Sequence, residues 1–274
     1  MNPRFEANRA NWDDRVAVHT RSKFYDVETW SNGTQGPPPR EITALGNVAD
    51  KSLVQLQCHF GMDTLRWARA GARVTGVDFS PDAITEAVAL AARAGLSDRS
   101  RFVCSNVYDA PAALANERFD FVYVSLGSIA WLPDVAKWGE VVATLLKPEG
   151  TVYLHDVHPF AFSLDDDGVR VDYSYFEEPD SPLVGDGPNT YTDGDSVVAT
   201  TTYEWNHSLS EVITSLTSQG LVLDSIVEHD WTLFRQFPWL DETLSGEFVI
   251  PVGRPRIPLS FTVVAHAPSR ARSL

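Results

Sequence analysis

The sequence predicts a doubly wound α/β fold: a seven-stranded, mostly parallel sheet with helices on both faces and an antiparallel last strand. Two observations carry this expectation. Five apolar runs of strand length recur between residues 52 and 160. They are near-continuous in hydrophobicity, as strands covered on both faces must be. Between them lie segments whose apolar residues fall at helical spacing, joined by short connections.

The elements follow in order. Residues 1–40 read as a helical N-terminal arm. Phe5, Trp12, Phe24, Tyr25 and Trp30 stand there among polar residues, and Gly33, Gly36 and three prolines mark the loop behind them. A short helix is expected at 41–48. SLVQLQC (52–58) is the first strand. The next helix is expected to use Asp63 or Thr64 as its cap, to bury Leu65 and Ala68, and to end at Gly71. ARVTGVDFS (72–80) is the second strand, and Ser80-Pro81 starts a helix. RFVCSNVYD (101–109) and FDFVYVSLGS (119–128) are the third and fourth strands. Pro133 opens a helix whose Val135, Trp138, Val142 and Leu145 share one face, and KPEG (147–150) ends it. TVYLHDVHPF (151–160) is the fifth strand.

The rhythm breaks at 161–205, an acidic stretch rich in Gly, Asp, Tyr and Ser. Its runs VRVDYSYF and SVVATTTYEW predict an antiparallel β insertion after strand five, lying over the strand ends as a substrate cap. Residues 206–220 then read as a helix capped by Asn206 or Ser208 and stopped by Gly220. Two strands at 221–231 and 257–267 close the sheet. No repeat is present, and residues 1–274 read as a single domain.

Composition bounds the function. The formal net charge is −15, with no block of Lys or Arg, so a polyanion such as nucleic acid would be repelled. The two cysteines, Cys58 and Cys104, read as free thiols of a reducing cytosol, and no metal-ligand spacing is offered. No signal-peptide core and no membrane-length apolar run is seen, so a cytoplasmic protein without a membrane partner is expected. A monomer and a homodimer both remain open.

A strand, a turn and a helix, followed by a strand ending in an acid, form a nucleotide-binding arrangement. The acid is Asp78, placed to accept the ribose hydroxyls of an adenosine. A dinucleotide needs G-x-G-x-x-G for its pyrophosphate. The turn here runs from Gln57 to Asp63 and keeps only Gly61, with the side chains of His59 and Phe60 in the way. This argues against NAD. It argues less against S-adenosylmethionine (SAM), which has no phosphate.

The stretch LQCHFGMDTLRWARAGARVTGVDFSPDAI (56–84) resembles the first two motifs of class I SAM-dependent methyltransferases, closest to a bacterial subgroup whose turn reads LQCHFG-x-DT. The resemblance continues in FVCSNVYD, FDFVYVSLGSIAWLPD, LLKPEGTVYLHDVHPF and YEWNHSLSEVITSL. It implies the Rossmann-like methyltransferase fold, SAM as cofactor with S-adenosylhomocysteine as product, and methyl transfer to an O, N, S or activated C atom of a small molecule. It names no acceptor. Gln57 stands where the family usually has an acid, and His59 and Asp63 stand where it has glycines. His59 and Gly61 are expected to face the methionine part of SAM, with Asp63 and Thr64 beside them. Asp78 resembles the ribose acid. Phe79 and Ser80 follow it, with Phe79 against adenine. Asn106 and Val107 resemble the adenine site, and Ser125 faces the sulfonium. Tyr25 and Trp30 of the arm are expected to close over SAM.

On the acceptor side, Trp131 and His19 are substrate-contact candidates. His155, His158 and His207 are candidate general bases, since imidazole titrates near neutrality. His155, Asp156 and His158 also raise a weaker possibility of a metal site. Two rival functions stand beside methyl transfer. One is SAM binding without transfer, or with another SAM-assisted reaction. The other is an NAD(P)-dependent oxidoreductase.

Overall fold

A computed structural model describes residues 2–176 and 178–269. Three helices come first: α1 (Pro3–Arg21), α2 (Val27–Asn32) and α3 (Pro39–Leu45). The α/β part follows as β1 (Ser52–Leu56), α4 (Met62–Arg69), β2 (Arg73–Asp78), α5 (Pro81–Arg93), β3 (Ser100–Cys104), α6 (Ala110–Ala113), β4 (Phe119–Val124), α7 (Val135–Leu145) and β5 (Leu146–Val157). The rest comprises α8 (Pro159–Phe162), β6 (Leu183–Asp186), β7 (Thr201–Glu204), α9 (Leu209–Thr217), β8 (Val222–His229), β9 (Trp231–Thr232), β10 (Asp241–Glu242), β11 (Phe248–Val249) and β12 (Ser260–His266).

Seven strands form the central sheet in the order β3-β2-β1-β4-β5-β12-β8. The first five are mutually parallel, and β12 runs antiparallel to both neighbours. Alternation along the strands sends side chains to two cores. Leu53, Phe121, Tyr123 and Tyr153 meet α2, α3, α4 and α5 on one face. Val54, Val122, Val124 and Leu154 meet α6, α7 and α9 on the other. Gly139 lets α7 lie close on α9, because a Cβ there would sit 2.1 Å from the Ser215 carbonyl oxygen. Strand order reverses between β1 and β4, and such a switch point opens a crevice at the carboxyl ends of the strands.

Several local expectations change. The short helix starts at Pro39, not 41, because proline is preorganised for a first turn. Gly61, not Asp63 or Thr64, caps α4, and its φ of 76° needs glycine. The third strand ends at Cys104, since the Asn106 side chain accepts from the Tyr108 amide and folds a turn. KPEG does not end a helix but belongs to β5. Leu146 pairs with Phe119, and the Glu149 amide donates to the Ala267 carbonyl. Among its described residues the 161–205 stretch pairs only as the short hairpin β6–β7 and the isolated bridge Leu164 to Val171. VRVDYSYF is not a strand, because Asp172 and Tyr173 both donate back to the Ser163 carbonyl and turn the chain. A three-stranded antiparallel sheet, β10-β11-β9, was not foreseen; its strands are two residues long and carry no periodicity. No described helix is long and apolar enough to cross a membrane.

Helix α1 lies over the crevice and is stitched to the 161–205 stretch. Asn8 exchanges two hydrogen bonds with the Tyr203 backbone, at 2.7 Å each. Asn11 donates to the Ala199 carbonyl at 2.6 Å, and Asp14 accepts from the Val198 and Ala199 amides.

Candidate functional site

The crevice is a pocket of about 900 Å³ formed by the chain leaving β1, β2, β3 and β4, with Phe5 and Trp12 of α1, Tyr25 and Tyr191 above it. Its floor is the turn after β1. Gln57 and His59 have φ of 55° and 50°, and Gly61 follows at 76°. A non-glycine residue in this left-handed region costs on the order of 1 kcal/mol or more. Surrounding bonds hold the turn in place. The Cys58 amide donates to the Val77 carbonyl, the Gly61 amide to the Cys58 carbonyl, and the His59 amide to Asp78 Oδ2 at 2.8 Å. Two polar residues thus adopt the backbone that a glycine-rich turn would supply.

Asp78 ends β2 at the pocket wall. Oδ2 accepts the His59 amide and Oδ1 the Ser80 amide at 2.9 Å, with the Phe79 amide also turned to the carboxylate, which still keeps capacity for a further donor. Burial raises its pKa to about 6, against the pull of those backbone donors. Gln57 Nε2 donates to the Ser128 carbonyl at 2.7 Å, while its buried Oε1 has no partner. Beneath, a polar chain braces the floor: Thr64 Oγ1 donates to Gln55 Oε1, and Gln55 Nε2 donates to Ser125 Oγ at 2.8 Å.

The wall after β4 is fixed by Asp156. Its carboxylate accepts from the amides of Gly127, Ser128, Ile129 and Val157 at 2.6–3.0 Å, and burial raises its pKa to about 6. A carboxylate so engaged positions a loop. The suggested metal site at His155, Asp156 and His158 is therefore withdrawn. Among the described residues no group of three His, Cys, Asp or Glu side chains could hold a metal ion.

The roof is aromatic. Trp12 meets His59 and Trp131 edge-on, at centroid distances of 5.1 and 5.2 Å. His19 Nδ1 lies 3.0 Å from His59 Nε2, and Tyr25 and Tyr191 join by their hydroxyls beside this pair. Burial lowers the pKa of both histidines, His19 to about 3, so both imidazoles are neutral.

Of the residues foreseen from sequence, the pocket gathers Tyr25, Gln57, His59, Gly61, Asp63, Asp78, Phe79, Asn106, Val107, Ser125 and Trp131. His19 touches it through His59. Others are placed elsewhere. Trp30 is buried in the core with the Arg69 guanidinium 3.9 Å from its ring centroid. Thr64 is sealed beneath the floor, and Ser80 caps α5 and donates to Asp13. The three proposed bases do not line the pocket. His155 contacts Ser260 among His229 and Trp231. His158 caps α8 and meets Glu228 at 2.8 Å. His207 Nε2 is 2.7 Å from the Leu132 carbonyl. Sequence reading missed Phe5, Tyr191, the lining role of Trp12, and Gln55. The signal for the roof lay in α1, where Asn8, Asn11, Arg15 and His19 fall on one helical face and are all buried.

Among the described residues the lining includes two carboxylates, Asp63 and Asp78, and no Lys or Arg. Such a pocket suits a sulfonium cation and opposes a pyrophosphate. Asp78 fits a ribose diol, and the unpartnered Gln57 Oε1 fits an ammonium group. Fold and site together define a Rossmann-like α/β domain with an acidic pocket at its switch point.

Residues 54–150 match the model of a family described as a methyltransferase domain. A ubiquinone biosynthesis O-methyltransferase from Stutzerimonas stutzeri is 28% identical over 137 residues, covering 47% of this chain. The match spans 57% of that relative's own length. Among solved structures, a SAM-dependent methyltransferase from Methanosarcina mazei superposes with a TM-score of 0.57 at 18% identity, covering 86% of this chain and 100% of the other. A geranyl diphosphate C-methyltransferase from Streptomyces coelicolor, crystallised with S-adenosylhomocysteine, gives 0.53 at 14% identity, covering 82% and 75%.

Proposed function

We propose that the chain transfers a methyl group from SAM to a small molecule held between the floor of the pocket and its aromatic roof, with residues 1–274 acting as one domain. The observation that carries this reading is the buried Asp78 carboxylate, with spare acceptor capacity, in a pocket whose described lining holds no basic side chain. When bound, SAM supplies an electrophilic methyl group on a sulfonium. Asp78 would hold the ribose hydroxyls, Gln57 the ammonium, and Asn106 with Val107 the adenine. The loop pinned by Asp156 sets the wall where acceptor and methyl meet. The roof excludes water and aligns the acceptor, and alignment is the main lever in such a displacement. The name of the Stutzerimonas relative puts oxygen first among acceptor atoms.

Calorimetric titration with S-adenosylhomocysteine, SAM and NADH tests the reading. Binding of the first two is expected, with no binding of NADH. In Asp78→Asn, which keeps the shape but loses the charge, affinity for S-adenosylhomocysteine should fall about tenfold or more, the scale of losing hydrogen bonds to a charged group. Unchanged affinity in that variant, or NADH binding by the wild type, would sink the proposal.

A further inference from the structure

Arg15 points inward from α1 and is only 9% exposed. Its Nε donates to Asn11 Oδ1 at 2.7 Å. Among the described residues it forms no ion pair within 4.0 Å, and its two Nη nitrogens have no hydrogen-bond partner. Neither Nη nitrogen is sealed from solvent, unlike the buried unpartnered atoms elsewhere in the chain. The guanidinium carbon sits 4.8 Å from the Trp12 ring centroid and 5.3 Å from that of Trp131. Both rings line the pocket, while Arg15 itself lies outside the lining, against them.

A buried cation is costly unless an anion meets it. Trp12 and Trp131 attract its charge through their π faces, but they leave the donor edge unpaired. Glu204 feels the same charge, yet it makes no contact with Arg15, and burial holds its carboxyl up at about 7. Tyr25 and Tyr191 also sense the guanidinium, and burial raises the pKa of each, while His19 and His59 sense it and stay neutral. Near neutrality, therefore, no fully ionised side chain among the described residues neutralises Arg15. What remains is a planar, two-pronged donor edge between tryptophans, a geometry that matches a carboxylate bidentately.

We propose that Arg15 is an anion-binding subsite of the acceptor half of the pocket, and that the methyl acceptor is an aromatic carboxylate. The ring of the acceptor lies among Trp12, Trp131 and Tyr191, and its carboxylate takes the Nη donors of Arg15. This rests on the methyltransferase reading for the identity of the bound molecule as acceptor. The anion site itself stands on Arg15 alone.

The test uses the full chain saturated with S-adenosylhomocysteine, probed with benzoate and its uncharged counterpart benzamide. Benzoate should bind about tenfold or more tightly than benzamide, the scale of a charge-assisted hydrogen bond. Arg15→Gln should erase the preference while binding of S-adenosylhomocysteine stays unchanged. Arg15→Lys should keep part of it, and it serves if the glutamine variant fails to fold. Equal binding of the two probes by the wild type, no binding of either in the millimolar range, or a preference that survives Arg15→Gln would overturn the subsite. If S-adenosylhomocysteine itself does not bind, the methyltransferase reading fails, and the two probes on the unliganded chain judge Arg15 separately.

Discussion

The floor and the roof of the pocket are built by different physics. The floor is the turn from Gln57 to Gly61 with Asp78 beside it, and backbone bonds between near neighbours hold it. The roof is α1 and the returning 161–205 stretch. Side chains hold it, reaching from Asn8, Asn11 and Asp14 to backbone 184–195 residues away. A floor of this kind is rigid and generic, suited to a cofactor that is the same in many enzymes. A roof of this kind can be rebuilt without disturbing the sheet, and it is where an acceptor would be selected.

The largest expected effect breaks the floor. In Gly61→Val the new Cβ would sit 2.5 Å from the Phe102 ring, on a backbone with φ of 76°. Strain and overpacking together should cost about 3 kcal/mol or more. Denaturant unfolding should show the loss, and binding of S-adenosylhomocysteine should vanish with it. A stable variant that still binds would mean that the turn has no need of its left-handed geometry.

The roof should yield more gently. Replacing Asn8 and Asn11 together by alanine removes three bonds to the returning segment. Each is worth about 1 kcal/mol. Hydrogen exchange at residues 198–204 should rise, while affinity for S-adenosylhomocysteine stays near the wild-type value. Equal loss of cofactor binding and of protection would show that the two regions are one cooperative unit.

The smallest effect is a pH dependence that separates them. Asp78 has its folded pKa raised from 3.8 to about 6, so the folded chain holds a proton that the unfolded chain has released. Its contribution to stability is full below pH 3.8 and is lost as pH rises through about 6. The proposed ribose recognition needs the opposite, charged form. Calorimetry should therefore show affinity for S-adenosylhomocysteine constant above pH 7 and falling as pH drops below about 6, by about tenfold per unit. A flat profile down to pH 5 would remove Asp78 from the binding reaction.

Legibility followed the same divide. Strand, turn and helix after residue 52 were readable, because periodicity and caps are local signals; Ser80 and Ser208 cap the helices where their spacing placed them. Asp78 could be picked out because a strand end is itself a position. The histidines were not separable in this way. Position at a strand end does not say which face a side chain takes, and β12 pairs with β5 so that His155 meets Ser260 rather than the pocket. Trp30 shows the same limit: an aromatic in the arm can serve core or cofactor, and packing against Arg69 decided for the core.

Sequence by itself determined the sheet, its alternating helices, the acid at the end of β2 and a pocket hostile to phosphate, since each depends on residues near one another in the chain. Only the tertiary structure decided which aromatics roof the pocket, that Asp156 braces a loop, and that Arg15 lies unpaired between Trp12 and Trp131. The roof and the place of Arg15 depend on α1 meeting Trp131 and the 161–205 stretch, more than a hundred residues away, and the Asp156 brace depends on β5 lying beside the loop after β4; no local propensity encodes such meetings.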